Sequence, residues 1–193
     1  MSSTIFRLDN TLEFARISRN AFQTAKEMHD SLPEKITDLV PQEGMNDVVK
    51  VAVQEWMKNQ EELQRQAFVT VVFAAIAIES YVNNLIANNT SINFFKNYFE
   101  RMDIVSKWVI APKHIGHREI DRDSKLFEQL KTLVKNRNKI VHPKPRNVDL
   151  LKDSTKINSV EFNAFIAAEN AIATLDSFSE FLGSPDGDSL KND

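Results

Sequence analysis

The sequence predicts an all-α protein, an up-and-down bundle of four principal helices with short extra helices and a long N-terminal helical extension. Only four of the 193 residues are glycine, which argues against a turn-rich β architecture. Several long segments place apolar residues three and four positions apart, the spacing of one helix face. One of them, around residues 67–78, is apolar almost throughout and predicts a buried central helix.

The first predicted helix can be capped by Asp9 or Asn10, because both side chains accept hydrogen bonds from free backbone N–H groups. Two prolines and a glycine mark the connection that follows. A second helix begins after Asn46 and either continues to residue 88 as one rod or breaks near Asn59. The apolar stripe of the first helix comprises Phe14, Ile17, Ala21, Ala25, Met28 and Leu32.

Short elements separate the second helix from the next long one. Residues 92–99 are predicted as a short helix and residues 110–123 as a loop. A long amphipathic helix then covers residues 124–141. It ends there because Pro143 disfavours the α conformation at His142.

The last predicted helix is rich in phenylalanine and follows a polar connector. Asn158 followed by Glu161 suggests its N-terminal cap, and Gly183 ends it. Its apolar residues are Phe162, Phe165, Ile166, Ile172, Leu175, Phe178, Phe181 and Leu182.

These elements divide the chain into three parts. Residues 1–58 are predicted to form a helical extension that packs on a bundle made by residues 59–182. Residues 183–193 are polar and contain glycine and proline, so they are expected to form a disordered tail.

Positive charge is concentrated in one window of an otherwise acidic chain. The chain has 24 Lys and Arg against 27 Asp and Glu, a net charge of -3. Residues 131–146 contain six basic and no acidic residues, so the rest of the chain carries -9. Such a window attracts a polyanion such as nucleic-acid phosphate, although a solvated helix face is the alternative. The six residues are Lys131, Lys135, Arg137, Lys139, Lys144 and Arg146.

Arg137 differs from its basic neighbours because it lies on the apolar stripe of its helix, within about 60° of four apolar residues at 100° per residue. A guanidinium on that stripe needs a counter-charge or hydrogen bonds. Glu79 is the only charged residue between Gln66 and Phe95. We therefore predict that Glu79 neighbours Arg137, with Asn83 one turn later on the same face.

His142 follows at the end of the same helix and can leave the helical path. An imidazole can donate or accept a proton near neutral pH. Positions five apart on a helix diverge by about 140°, so only a long arginine and a helix end would let both groups reach one phosphate. The competing interpretation is structural: Arg137 forms a buried pair with Glu79, and His142 donates to a carbonyl.

The pattern Arg137-Asn138-x3-His142 resembles the motif of the HEPN superfamily, small helical domains of which many are endoribonucleases in toxin–antitoxin and antiviral systems. The helix before it, LFEQLKTLVKN, and the upstream helix AAIAIESYVNNLI add to the resemblance, as does KWVIAP at residues 107–112. The resemblance covers roughly residues 60–182.

This resemblance implies that Arg137 binds the scissile phosphate and that His142 performs acid/base chemistry, with Asn138 at the polar position. The RNA 2'-hydroxyl would attack the adjacent phosphorus and leave a 2',3'-cyclic phosphate and a 5'-hydroxyl, without metal or cofactor. Two copies would meet through the motif helix as a homodimer. Glu79 and Asn83 would support the arginine, and RNA would contact Lys131, Lys135, Lys139, Lys144 and Arg146.

One departure narrows the expected biology. Members of the family that pair with a nucleotidyltransferase antitoxin often carry a tyrosine two residues after the histidine, where this chain has Lys144. That regulatory chemistry is therefore not predicted, although an antitoxin or inhibitor protein stays a possible partner. The alternative function is a catalytically silent helical module that dimerises or binds another protein.

Other classes of site have little support in the sequence. The chain has no cysteine, which excludes disulfides and thiolate chemistry. His114 and His117, with Asp121 and Asp123 nearby, form a weak metal pattern, and no metal is predicted. The apolar stretch at residues 67–78 is too short to span a bilayer, and no signal segment is seen, so we expect a cytoplasmic protein without membrane contact.

Overall fold

The computed structural model describes residues 10–33, 47–143 and 163–183. Across these residues the chain is helical and contains no strand, which confirms the predicted all-α bundle. The elements are α1 (Thr11–Ser31), α2 (Asp47–Asn89), α3 (Ile92–Phe94) continued by a π-helical turn (Phe95–Phe99), α4 (Ile104–Ile115), α5 (Lys125–Val141) and α6 (Ala164–Leu182).

Helix α2 is the centre of the bundle and contacts α1, α4, α5 and α6. It is one helix of 43 residues, about 65 Å long at 1.5 Å per residue, and it passes through Asn59 without a break. Its middle is buried on most sides, as the sequence predicts. The buried residues there include Ala67, Val71, Ala74, Ala75, Ala77, Ile78 and Val82.

The apolar middle of α2 also has a bearing on membranes. By length and composition α2 could cross a bilayer, because an 18-residue window has a mean hydropathy of 1.6. The apolar segment is thus longer than residues 67–78 suggest. Of that window, 44% is buried within the bundle. The core helix of a soluble protein has the same properties, and the structure is compatible with a soluble protein.

Helix α1 packs along α2 through small side chains. Ala15 and Ala25 are fully buried, and the Ser18 hydroxyl donates to the Thr70 carbonyl at 2.9 Å. Small residues let two helix backbones approach closely, so α1 contributes to the main core. The division expected between residues 58 and 59 falls inside α2.

The loop predicted at residues 110–123 is wrong in its first half, because α4 continues to Ile115. Asp103 caps α4 by accepting a hydrogen bond from the Ser106 N–H at 3.0 Å, and Gly116 ends it at φ 68°. Pro112 lies in the last turn of α4, where its missing N–H removes one intrahelical hydrogen bond. Burial of residues such as Trp108 outweighs that loss.

The two helices after α4 end as predicted. Helix α5 is capped by the Ser124 hydroxyl, which accepts from the Phe127 N–H at 3.3 Å, and its last residue is Val141. The His142 N–H donates to the Asn138 carbonyl at 2.9 Å. Gly183 follows α6 at φ 71°.

The N-terminal caps agree less well with the sequence. Asn163 caps α6 by accepting from the Ile166 N–H at 3.0 Å, five residues later than the expected cap at Asn158, which lies outside the described residues. Asn10 precedes α1, but its side chain makes no capping bond. The caps expected at Asp9 and Asn46, and the tail after Gly183, lie outside the described residues.

Two groups of buried side chains hold the bundle together. In the main core, Trp108 packs between Tyr81 and Phe178, with ring centroids 5.9 and 4.7 Å away. A smaller cluster joins α1, α2 and α6 through Ala25, Leu63 and Phe165. The smaller cluster matters for function because two of its residues, Leu63 and Phe165, line an open groove.

Candidate functional site

A groove of about 1940 Å³ opens between the end of α1, the first half of α2, α5 and the start of α6. Leu63 and Phe165 of the smaller cluster line it, and Trp56 and Phe68 of α2 line it as well. Trp56 is held in place because its indole N–H donates to the Pro33 carbonyl at 3.0 Å. The groove therefore combines aromatic surface with the polar face of α5.

Helix α5 supplies most of the charge of this groove. Among the described residues that line it, Glu61 is the only acidic one, and the lysines all come from α5. A groove with an excess of cations suits an anionic ligand. The α5 side chains concerned are Lys131, Val134, Lys135, Asn138, Lys139, Ile140 and His142.

The lysines of the groove differ in their surroundings. Lys131 forms an ion pair with Glu128 at 2.9 Å, and its ammonium lies 5.6 Å from the centre of the Phe127 ring. Lys135 is exposed and makes no ion pair within the described part of the chain. Lys135 is thus the groove cation most available to an incoming phosphate.

Arg137 borders the groove and does not line it. Its Nη1 donates to the Asn138 Oδ1 at 3.0 Å, and Asn138 is a residue of the groove. The Arg137 side chain is half-buried, and its Nε is buried without an acceptor among the described residues. A buried N–H without an acceptor is costly, so this guanidinium still has hydrogen-bonding capacity to satisfy.

His142 is exposed at the C-terminal end of α5 and lines the groove. The structure thus brings Asn138 and His142 to one groove together with Lys131, Lys135 and Lys139. Arg137 does not line the groove, but its guanidinium is hydrogen-bonded to Asn138, which does. The divergence expected for two positions five apart on a helix is the reason.

Glu79 pairs with a cation, but the cation is Lys107 of α4 and not Arg137. The Lys107 Nζ donates to the Glu79 Oε1 at 2.8 Å. The Lys107 side chain is 2% exposed and that of Glu79 is 32% exposed. The prediction that Glu79 neighbours Arg137 is therefore wrong. The partner is Lys107, which belongs to α4, a helix that was not predicted from the sequence.

The remaining predicted residues contribute nothing to this groove. Asn83 is half-buried on α2, and its Oδ1 has no hydrogen-bond partner within the described residues. Neither Asn83 nor Glu79 lines the groove. Lys144 and Arg146 lie outside the described residues.

Two residues, Lys107 and His29, were not identified from the sequence. Lys107 stands in the apolar segment IVSKWVIA, and a helical assignment of that segment would have marked it as a buried charge that needs a partner. His29 of α1 lines the groove, but nothing in the sequence relates it to residues more than 100 positions later.

The weak metal pattern does not form a cluster. In the part of the chain that the structure describes, no group of three or more His, Asp or Glu side chains could hold a metal ion. His114 is exposed, and the ring of His117 is half-buried with its Nδ1 unpartnered among the described residues.

Comparisons with known proteins leave the family open. No protein-family model, no curated protein and no solved structure matches the chain. Membership of the HEPN superfamily therefore stays a prediction that depends on residues 137–142 and the helices around them.

Proposed function

We propose that this protein is a HEPN-like, metal-independent endoribonuclease that cleaves single-stranded RNA in the groove along α5. The observation that supports the proposal most is the position of His142. This exposed imidazole lies at the helix end, in a groove that also contains three lysines and Asn138. A proton-transfer group beside phosphate-binding cations is what RNA transesterification requires.

Each side chain has a task in the proposed reaction. The 2'-hydroxyl of one nucleotide attacks the adjacent phosphorus, and the bond to the 5'-oxygen breaks. His142 transfers a proton in this exchange. Arg137 stabilises the charge that builds on the phosphate oxygens, since its planar fork can donate two parallel hydrogen bonds. Lys131, Lys135 and Lys139 hold the RNA backbone.

The proposal includes a homodimer through α5. In one chain Arg137 borders the groove from outside, so a site that uses its guanidinium directly gains from a second copy. Val141, next to the motif and 41% exposed, offers apolar surface for such a contact. Each composite site would then combine Arg137 of one copy with His142 of the other.

The same surface favours a second candidate function. Exposed apolar residues also lie on the first half of α2, where Val48 is 76% exposed and Met57 lines the groove. A catalytically silent module that dimerises or binds a helix of another protein would use such residues.

The proposed cellular role is growth control or antiviral defence in the cytoplasm, without membrane contact. An endoribonuclease of this kind is harmful to its own cell unless controlled, so an antitoxin or inhibitor protein belongs to the proposal.

The experiment that tests the proposal is cleavage of total RNA in the presence of EDTA. The wild type is expected to leave 2',3'-cyclic phosphate and 5'-hydroxyl ends, whereas Arg137→Ala and His142→Ala leave the RNA intact. His114→Ala is the matched control, because His114 is an exposed histidine away from the groove. Intact RNA at every wild-type concentration would reject the enzyme and favour the binding module.

Mixing the two inactive variants tests the composite site. If Arg137 and His142 act across the dimer, a mixed dimer contains one complete site and one empty site. Half of the dimers in an equimolar mixture are mixed, so about a quarter of wild-type activity is expected to return. Recovery does not occur if both residues act within one chain.

A further inference from the structure

His29 is a second imidazole in the groove that contains His142. It belongs to the last turn of α1, and His142 directly follows the last turn of α5. Two helix C-termini that are distant in sequence therefore deliver one histidine each to the same groove. The other two histidines of the chain, His114 and His117, do not line it.

Two neighbouring side chains contact the His29 ring, one at its face and one at its Nδ1. It stacks on Phe165 of α6 with ring centroids 4.0 Å apart and an interplanar angle of 2°. Its Nδ1 lies 3.3 Å from the Asp30 Oδ1. The His29 side chain is nevertheless 53% exposed, so a ligand in the groove can reach it.

The Asp30 contact determines which nitrogen is free. A carboxylate accepts hydrogen bonds and cannot donate them, so the His29 Nδ1 carries the hydrogen in this contact. The neutral ring then presents the lone pair of Nε2, and a carboxylate behind an imidazole is the usual way to orient a general base. His142 has no such carboxylate among its described contacts.

We infer that His29 is the general base that complements His142 as general acid in the groove, an inference that rests on the proposed ribonuclease function. The His29 Nε2 takes the proton from the RNA 2'-hydroxyl as the bond from this oxygen to phosphorus forms. The bond from phosphorus to the 5'-oxygen breaks, and the protonated ring of His142 gives its proton to that oxygen. Protons and electron pairs balance without any further reactant.

Other charged groups lie in or beside the groove that contains His29 and His142. Asp30 neighbours His29 on α1, Phe165 of α6 covers one face of the ring, and Glu61 of α2 lines the same groove. From α5 come Lys131, Lys135 and Lys139. The lysines hold the phosphate between the two rings, and Glu61 is the one acidic group of the described lining.

The decisive variant is His29→Phe, which keeps an aromatic ring on Phe165 but cannot transfer a proton. RNA cleavage in EDTA is expected to slow by about 10²–10⁴-fold, the usual contribution of one acid/base group. The pH–rate profile is expected to lose one of its two limbs, while His142→Phe loses the other. Asp30→Asn should slow cleavage less than His29→Phe, and His114→Phe should leave it unchanged.

Inorganic phosphate supplies a readout that needs neither a variant nor activity. In the wild type, titration with phosphate is expected to shift the imidazole C–H NMR signals of His29 and His142 together. The signals of His114 and His117 should stay in place. A shift of the His142 signal alone would contradict a shared site.

The outcomes separate the inference from the function it rests on. If the wild type cleaves RNA and His29→Phe cleaves equally fast, the general base is wrong and the ribonuclease stands. If the wild type leaves RNA intact, the ribonuclease and the base both fall. If His29→Phe does not fold, the phosphate titration and Asp30→Asn decide.

Discussion

Two charged regions of this molecule differ in whether their charges are paired within the fold. Lys107 is buried in the bundle and pairs at 2.8 Å with Glu79, whose side chain is partly exposed. The cations of α5 lie along an open groove, and Lys135 has no acidic partner in the described residues. A charge that the fold neutralises serves the fold, whereas an exposed charge without an acidic partner in the described residues, such as Lys135, can serve a ligand.

Arg137 stands between these two cases. It is half-buried where Lys107 is fully buried, and its Nε has no acceptor in the described part of the chain. Its one described hydrogen bond goes to the neighbouring Asn138. The fold thus supplies Lys107 with an acidic partner and leaves the Arg137 Nε without an acceptor among the described residues.

The largest effect is expected from the groove. His142→Ala should reduce RNA cleavage by about 10²–10⁴-fold, because one proton-transfer group is lost. The free energy of unfolding should change by less than about 0.5 kcal/mol, since His142 is exposed. Kinetics with a short RNA and urea unfolding of the same preparation measure both. A large loss of stability would instead indicate that His142 contributes to the fold.

The next effect tests the buried pair. Glu79→Ala leaves the Lys107 ammonium buried without a counter-charge and should cost about 3–5 kcal/mol of unfolding free energy. Lys107→Met should cost clearly less, because Glu79 is 32% exposed and water can solvate its carboxylate. Urea unfolding of both variants measures the asymmetry. Equal costs for the two substitutions would contradict it.

A smaller effect concerns the cap of α4, the helix that brings Lys107 to Glu79. Asp103→Ala should cost about 1 kcal/mol at pH 7, because the carboxylate accepts the Ser106 N–H. Asn10→Ala is the matched control, and it should cost less than about 0.5 kcal/mol because the Asn10 side chain makes no capping bond.

The cost of Asp103→Ala should depend on pH. Hydrogen bonding from the Ser106 side chain lowers the pKa of Asp103 below its ordinary value. A lowered pKa in the folded state contributes stability above the unfolded pKa of about 3.9 and loses it as pH falls through the folded value. Urea unfolding at pH 7 and pH 3 should therefore show a smaller difference between wild type and variant at pH 3.

The smallest effect separates one lysine from another. Lys135→Ala should weaken RNA binding and reduce the salt slope of the binding constant by about 0.7, the value for one phosphate contact to a single strand. Lys113→Ala is the matched control, because Lys113 is exposed, pairs with Glu119 at 3.2 Å and lies outside the groove. Fluorescence anisotropy at several salt concentrations measures the slope, and equal slopes for both variants would remove Lys135 from the RNA-binding face.

Much of the fold could be predicted from local signals. The bounds of α5 follow from Ser124 and Pro143, and the burial of α2 follows from its continuous apolar surface. Helix α4 was missed where residues 110–123 were predicted as a loop, although Asp103 as a cap and the apolar residues around Trp108 favour a helix.

The partners of charged residues could not be predicted in the same way. Periodicity places Glu79 and Arg137 on the inner faces of their helices, but it does not say which faces meet. Because α4 was not predicted from the sequence, Lys107 was not considered as a partner for Glu79. Arg137 was predicted as the partner instead. His29 belongs to a groove that only the packing of α1 against α2 and α6 creates.

The continuity of α2 also limits how the molecule can move. Trp56 and Phe68 of the groove belong to the same unbroken rod as Glu79, and no proline or glycine interrupts that rod to act as a pivot. The two ends of α2 must therefore travel together. Widening the groove for a nucleotide chain therefore requires the shorter helices to shift relative to α2.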